Sequence, residues 1–173
     1  MQNLFSYPLM LDEMGNGTKT YNLVANKEQL KYIAQILKLD NINKFETELN
    51  VCLNRRNHHL NISGFVDAEV EHTSVISLEK FNKKYHPEFE FFYDTELTYE
   101  QLKEIEFDFD EEEPDIIENG QIDLAEIAME QLALVLDDFP RKDGEIFEFK
   151  SEFDEETTTK ANPFAALAKI KKS

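Results

Sequence analysis

The chain has 173 residues, enough for one compact domain with a self-sufficient core. Its 41% hydrophobic content and 14 phenylalanines, set against 31% charged residues, exclude a wholly disordered chain and predict a foldable, well-solvated one. The net charge of −18 is unevenly placed: residues 1–100 carry 15 acids and 10 bases, residues 101–160 carry 21 and 5, and residues 161–173 carry three lysines and no acid.

The opening Met1-Gln-Asn-Leu-Phe-Ser-Tyr-Pro8 has neither a basic stretch nor a continuous apolar run, so a secretory leader is not expected. No window of the sequence approaches the roughly 20 apolar residues of a membrane span. Cys52 is the single cysteine, which forbids an intrachain disulfide and fits a reducing compartment. A soluble cytoplasmic protein is the expectation.

Phe5 to Leu11 and Tyr21 to Ala25 are short extended candidates, separated by Met14-Gly-Asn-Gly-Thr18, whose glycines can supply positive φ. Asn26 reads as the cap of a helix running to about Leu37, with Leu30, Ile33, Ala34 and Leu37 spaced to line one buried face. The period then changes to 2. Leu49, Val51 and Leu53 alternate with polar residues, Arg55-Arg-Asn-His-His59 interrupts, and alternation resumes with Leu60, Ile62, Gly64, Val66, Ala68 and Val70. This pattern predicts an antiparallel hairpin. Ser63, Ser74 and Ser77 fall in strand patterns without the glycine-flanked elbow of a nucleophile. A third run, Tyr85, Phe89, Phe91 and Tyr93, contains Pro87, which cannot donate to a ladder and marks an edge or a strand start.

Thr98 with Gln101 can cap a short helix. From Glu104 to Glu118 nine of fifteen residues are acidic and none is Lys or Arg. Such a run repels phosphate and disfavours direct RNA binding by this face, since nucleic-acid affinity rests on cations displacing counterions. It is a solvated loop or a surface attracting basic proteins, and its arrangement is open at this level. Asp123 then caps a helix from about Leu124 to Leu136, with Glu126 placed to reach back and Leu124, Ile127, Ala128, Leu132 and Val135 facing inward. Pro140 follows its end. Residues 141–161 read as a polar flexible linker, and Asn162 and Pro163 start a helix of about ten residues, too short to stand alone in water. It either docks on its own domain or, tethered by the linker, presents Phe164, Leu167 and Ile170 to a partner groove.

Chemistry finds little foothold. Asp123, Glu126 and Glu130 share a helix face but lack the histidine that carboxylate metal sites use, and Cys52, His58, His59, His72 and His86 match no zinc spacing. No metal or cofactor is expected. With five glycines in all, no phosphate-binding loop is visible.

Gln121-Ile-Asp-Leu-Ala-Glu-Ile-Ala-Met-Glu-Gln-Leu-Ala-Leu-Val-Leu136, then Phe139-Pro-Arg-Lys142, then Asn162-Pro-Phe-Ala-Ala-Leu-Ala-Lys169 resembles the C-terminal signature of the bacterial YceD family, the large ribosomal RNA subunit accumulation proteins. Asp123, Leu124, Glu126, Glu130, Gln131 and Pro140 belong to this signature, the last just beyond its helix. His72-Thr-Ser-Val-Ile-Ser-Leu-Glu79 and Phe5-Ser-Tyr-Pro8 resemble further family segments. The resemblance implies a non-catalytic role in synthesis, processing or stability of the 23S ribosomal RNA. It makes ribosomal proteins or precursor large-subunit particles the expected partners. Many relatives carry cysteine in the central segment where this chain has Ser74, so a redox or metal role for such cysteines cannot apply.

The resulting expectation is an α+β fold: an antiparallel β-sheet, open or barrel-like, over residues 1–140, packed with two main helices, and a tail ending in a short helix at 162–173. Two other functions fit the residues. One is an acidic chaperone or nucleic-acid mimic that occupies basic proteins; the other is a metal-dependent ribonuclease using Asp123, Glu126 and Glu130.

Overall fold

The structure, a computed structural model, describes residues 3–102 and 115–146. The linker from 147, the terminal Asn162–Ile170 segment and most of the acidic run lie outside them. Residues Met1–Lys142 form one compact unit and Asp143–Ser173 a second, of which Asp143–Ile146 are described.

Among the described residues the first unit has eight strands and three α-helices: β1 (Pro8–Met10), β2 (Gly17–Val24), α1 (Lys27–Ile36), β3 (Asn41–Asn54), β4 (His59–Thr73), β5 (Lys80–Tyr85), β6 (Glu88–Asp94), α2 (Tyr99–Leu102), β7 (Asp115–Ile116), β8 (Gln121–Asp123) and α3 (Leu124–Val135). The main sheet has the order β2-β3-β4-β6-β7, with β5 also on β4, while β1 and β8 pair separately. All pairings are antiparallel except β6–β7, a two-residue parallel contact that the sequence reading did not foresee. No pairing among the described residues joins β2 to β7, so the sheet is not shown to close into a barrel.

The hairpin β3–β4 is the spine, with alternate residues from Leu60 to Val70 buried apart from Gly64. Asn54 turns it, accepting from the N–H groups of Arg56 and Asn57, and His58 takes a left-handed φ of 58°. The third alternating run is two strands on the same edge of β4, in one register, broken only at His86-Pro87. The Pro87 carbonyl accepts from the Val66 N–H at 3.0 Å, while its ring nitrogen has no proton to return.

The helices cap as their sequences demand. Asn26 accepts from the N–H groups of Glu28 and Gln29, and the Gln29 side chain reaches back to the Asn26 N–H at 2.8 Å. Asp123 accepts from Ala125 and Glu126, but the Glu126 side chain makes no bond back to it among the described residues. Val135, expected inside, is 41% exposed, and Ala125 and Met129 are buried instead. Leu30 and Leu37 pack on the core without being fully covered.

Several boundaries move. Phe5 belongs to the core, edge-on to Phe45 at 5.4 Å, and Leu11–Glu13 form a 3₁₀ turn, leaving β1 only three residues of the expected Phe5–Leu11 strand. The Arg55 guanidinium holds that turn by donating to the carbonyls of Leu11 and Met14 at 2.7 and 2.8 Å. β2 begins earlier than Tyr21 and β3 much earlier than Leu49. Ser74 and Ser77 lie in a turn, not a strand.

Two apolar clusters fill the space between sheet and helices. One gathers Phe45, Val66, Val70 and Ile33 with Ala128 and Leu132 of α3; the other gathers Leu49, Val51, Leu60 and Ile62 with Leu124 and Ile127. α3 spans both and so fastens the two halves of the long hairpin.

Candidate partner-binding groove

Three segments meet where α1 and α3 end. α1 closes with Lys38 in the left-handed region (φ 55°), its N–H donating to Gln35 O and that of Leu39 to Ala34 O at 2.9 Å. Beside it lie the end of β4 at His72 and Thr73, and the stretch after α3. Together Leu37–Asp40, His72, Thr73, Ala133, Leu136–Asp138 and Pro140 line a groove of about 520 Å³.

The chain after α3, Asp137 to Lys142, is a strap laid along the β4–β5 connection. Lys83 and Asp137 form an ion pair, the Pro140 carbonyl accepts from the Val75 N–H at 2.9 Å, and Lys142 pairs with Glu79. Beneath the strap the buried His72 Nε2 meets the Tyr85 hydroxyl at 2.8 Å, and that hydroxyl donates to Asp137. If Tyr85 gives its proton to Asp137, His72 must donate through Nε2–H, which fixes its tautomer. Burial holds the imidazole below its usual range, with Lys83 adding to the effect and Asp137 and Asp40 opposing it. Burial, helped by Asp137, pushes the Tyr85 phenol up to about 12. The hydrogen bond from Lys83 holds the Asp137 carboxyl below the usual carboxylate range. At neutral pH this set is a fixed clamp of a neutral imidazole, a phenol and an ion pair.

The β4–β5 connection is shaped by Ser74. Its buried hydroxyl accepts from the N–H groups of Ile76 and Ser77 at 3.1 and 3.2 Å, and its carbonyl accepts from the Leu78 N–H. Leu78 closes the turn with a left-handed φ of 59°.

The helix residues singled out in the sequence fall elsewhere. Asp123 is a structural knot: Oδ1 accepts from the N–H groups of Tyr7, Ala125 and Glu126, and Oδ2 from the Ser6 hydroxyl. Three donors share Oδ1 and one uses Oδ2, so the carboxylate is committed to tying the N-terminal segment to the start of α3. Glu126 and Glu130 stay near the surface; burial, then Glu126, raises the Glu130 carboxyl. Leu124 is core, Gln131 is half-buried, and only Pro140 reaches the groove. Asn162, Pro163, Phe164, Leu167 and Ile170 lie outside the described residues. The histidines disperse: His58 pairs with Glu96, His86 with Asp67, and His72 with Tyr85. Among the described residues no group of three or more His, Cys, Asp or Glu is placed to hold a metal, and no helix is long and apolar enough to cross a membrane.

The sequence reading missed the groove itself. Its one available signal was the polar His72-Thr73-Ser74 at the end of an otherwise alternating strand, together with acids directly after a helix.

The sequence model described as Large ribosomal RNA subunit accumulation protein YceD matches residues 62–171. That span holds most of β4, the Ser74 turn, α3 and the strap, and reaches into the C-terminal segment. No curated protein and no solved structure matches the chain. The Phe5–Pro8 segment precedes the matched span, yet its Ser6 and Tyr7 are bonded to Asp123 within it. With well over half of its length matched, the chain belongs to the YceD family of large ribosomal RNA subunit accumulation proteins.

Proposed function

We propose that the protein is a non-catalytic factor that supports synthesis, processing or stability of the 23S ribosomal RNA during large-subunit biogenesis, acting through contacts with proteins. The observation that carries the first half is the family match, whose name ties such chains to accumulation of large-subunit ribosomal RNA. Charge supports the second half. The net charge is −18, and the open face of the sheet carries Glu46, Glu48, Asp67, Glu69, Glu71, Glu88 and Glu90 against Lys44, Lys80 and Lys84. Such a surface repels a phosphate backbone and attracts cationic proteins, among them ribosomal proteins.

The test is depletion followed by gradient profiling of ribosomal particles. A deficit of mature large subunits, restored by the full chain, is the expected result; an unchanged profile removes the reading. A chain ending at Lys160 measures how much the terminal segment contributes. The acidic sheet face also suits a general mimic of nucleic acid. Recovery of assorted DNA- and RNA-binding proteins, in place of precursor large-subunit particles, would favour that alternative.

A further inference from the structure

We propose that the groove at the ends of α1 and α3, with the apolar rim beside it, binds a cationic amphipathic segment of a protein partner; this rests on the reading above and names its surface. Two helix C-termini converge there, each bringing partial negative charge, and neither helix has a basic residue in its last turn. Asp40, Asp137 and Asp138 add three carboxylates to the lining, against one lysine, Lys38. The Lys83 ammonium is committed to Asp137 and the Thr73 hydroxyl to Asp40 at 2.6 Å, while Asp138 is exposed and makes no ion pair among the described residues. Leu37, Leu39, Leu136 and Pro140 supply apolar walls. The combination accepts a side chain with an alkyl stem and a positive head, which describes Lys and Arg.

The rim gives an independent argument. Leu78 occupies a left-handed turn position where glycine is favoured, and its side chain is 77% exposed, so the fold gains little from it. A strained backbone position carrying an exposed apolar side chain points to a contact outside the fold. Phe139, also 77% exposed, and Val75, at 51%, lie on the two segments held together by the bond between the Val75 N–H and the Pro140 carbonyl. RNA is disfavoured by the carboxylates. A second copy of this chain would bring two acidic grooves together.

The experiment is a titration of isotope-labelled full-length protein, followed by NMR, with a 12-residue Leu/Lys amphipathic peptide, a Lys/Ser peptide of equal charge, and a single-stranded RNA oligomer. The amphipathic peptide is expected to shift residues 37–40, 72–78 and 133–142, and to bind at least tenfold more tightly than the Lys/Ser peptide. Leu78→Gly should raise the melting temperature yet weaken binding at least fivefold, which separates a contact from a fold defect. Asp138→Lys, at an exposed position, should weaken binding by a similar factor. Unchanged affinity in both variants, peptide shifts mapping elsewhere, or equal shifts with RNA would each overturn the proposal. So would groove signals that move on dilution, or on Phe164→Ala without peptide, since these identify a second copy or the chain's own end as the occupant. If depletion produces the large-subunit defect but both variants rescue it fully, the groove loses its role and the biogenesis function stands.

Discussion

Asp123 ties the N-terminal segment to the start of α3 through four hydrogen bonds. An ordinary helix cap is worth about 1 kcal/mol, but this carboxylate also holds Ser6 and Tyr7, two further charge-assisted bonds of about 1 kcal/mol or more each. Asp123→Ala should therefore cost about 2–4 kcal/mol in urea unfolding. Asp123→Asn, which keeps the oxygen facing three N–H donors, should cost less than half as much; equal losses would mean that the cap geometry is not the cause. His72 sets a pH dependence of known sign. The unfolded chain protonates its imidazole near 6.5, whereas the buried one does so only at lower pH. Below 6.5 the unfolded state thus binds more protons, and stability falls as pH drops. Glu130, whose folded carboxyl is raised, acts with the opposite sign in both wild type and variant and cancels from their difference. Comparing urea midpoints at pH 7.5 and 5.5 should show a smaller drop for His72→Gln than for wild type. The same drop in both would exclude His72 as the source.

At the scale of elements the long hairpin depends on one glycine. Gly64 sits between the two apolar clusters, and a Cβ there would lie 2.2 Å from the backbone carbonyl of Glu48 on β3. Neighbouring Thr47 is buried and donates its hydroxyl to the Phe65 carbonyl at 2.7 Å, so both strands approach closely at this point. A backbone atom within a ladder cannot step aside, and Gly64→Ala should cost about 3 kcal/mol or more, or leave no folded protein. Circular dichroism and urea unfolding measure it, and a loss below about 1 kcal/mol would mean that the strands can part there. The sequence made the hairpin legible because its side chains alternate, and it made both helix starts legible because Asn26 and Asp123 carry their own caps. It hid the first half of β3 because the register shifts between Ile42 and Lys44, placing the buried Ile42 and Phe45 three residues apart instead of two. Pro87 divided one run into two strands without changing their register. The groove was illegible for a different reason: residues 37–40, 72–73 and 133–140 meet only through tertiary packing, and no local period records that meeting.

Charge acts on the whole molecule at once. On the open sheet face Glu46 stands opposite Asp67, and Glu48 and Glu88 flank Phe65. Unit charges about 6–10 Å apart in water repel by roughly 0.4–0.7 kcal/mol per pair. The cations nearby offset part of this, as in the Lys44–Glu46 and Lys80–Glu71 pairs, but exposed pairs of that kind are worth little. Repulsion should therefore win in a chain of net charge −18. Raising salt from about 0.01 to 0.1 M shortens the screening length from roughly 30 to 10 Å, and should raise folding stability by on the order of 1 kcal/mol. Urea midpoints in sodium chloride measure the change, and a midpoint that falls with salt would show that ion pairs outweigh repulsion. Binding of a cationic partner must respond with the opposite sign, because the same screening removes its attraction. One salt series thus gives two slopes: a fold that tightens and a complex that loosens. A complex indifferent to salt would have to be held by the apolar rim alone.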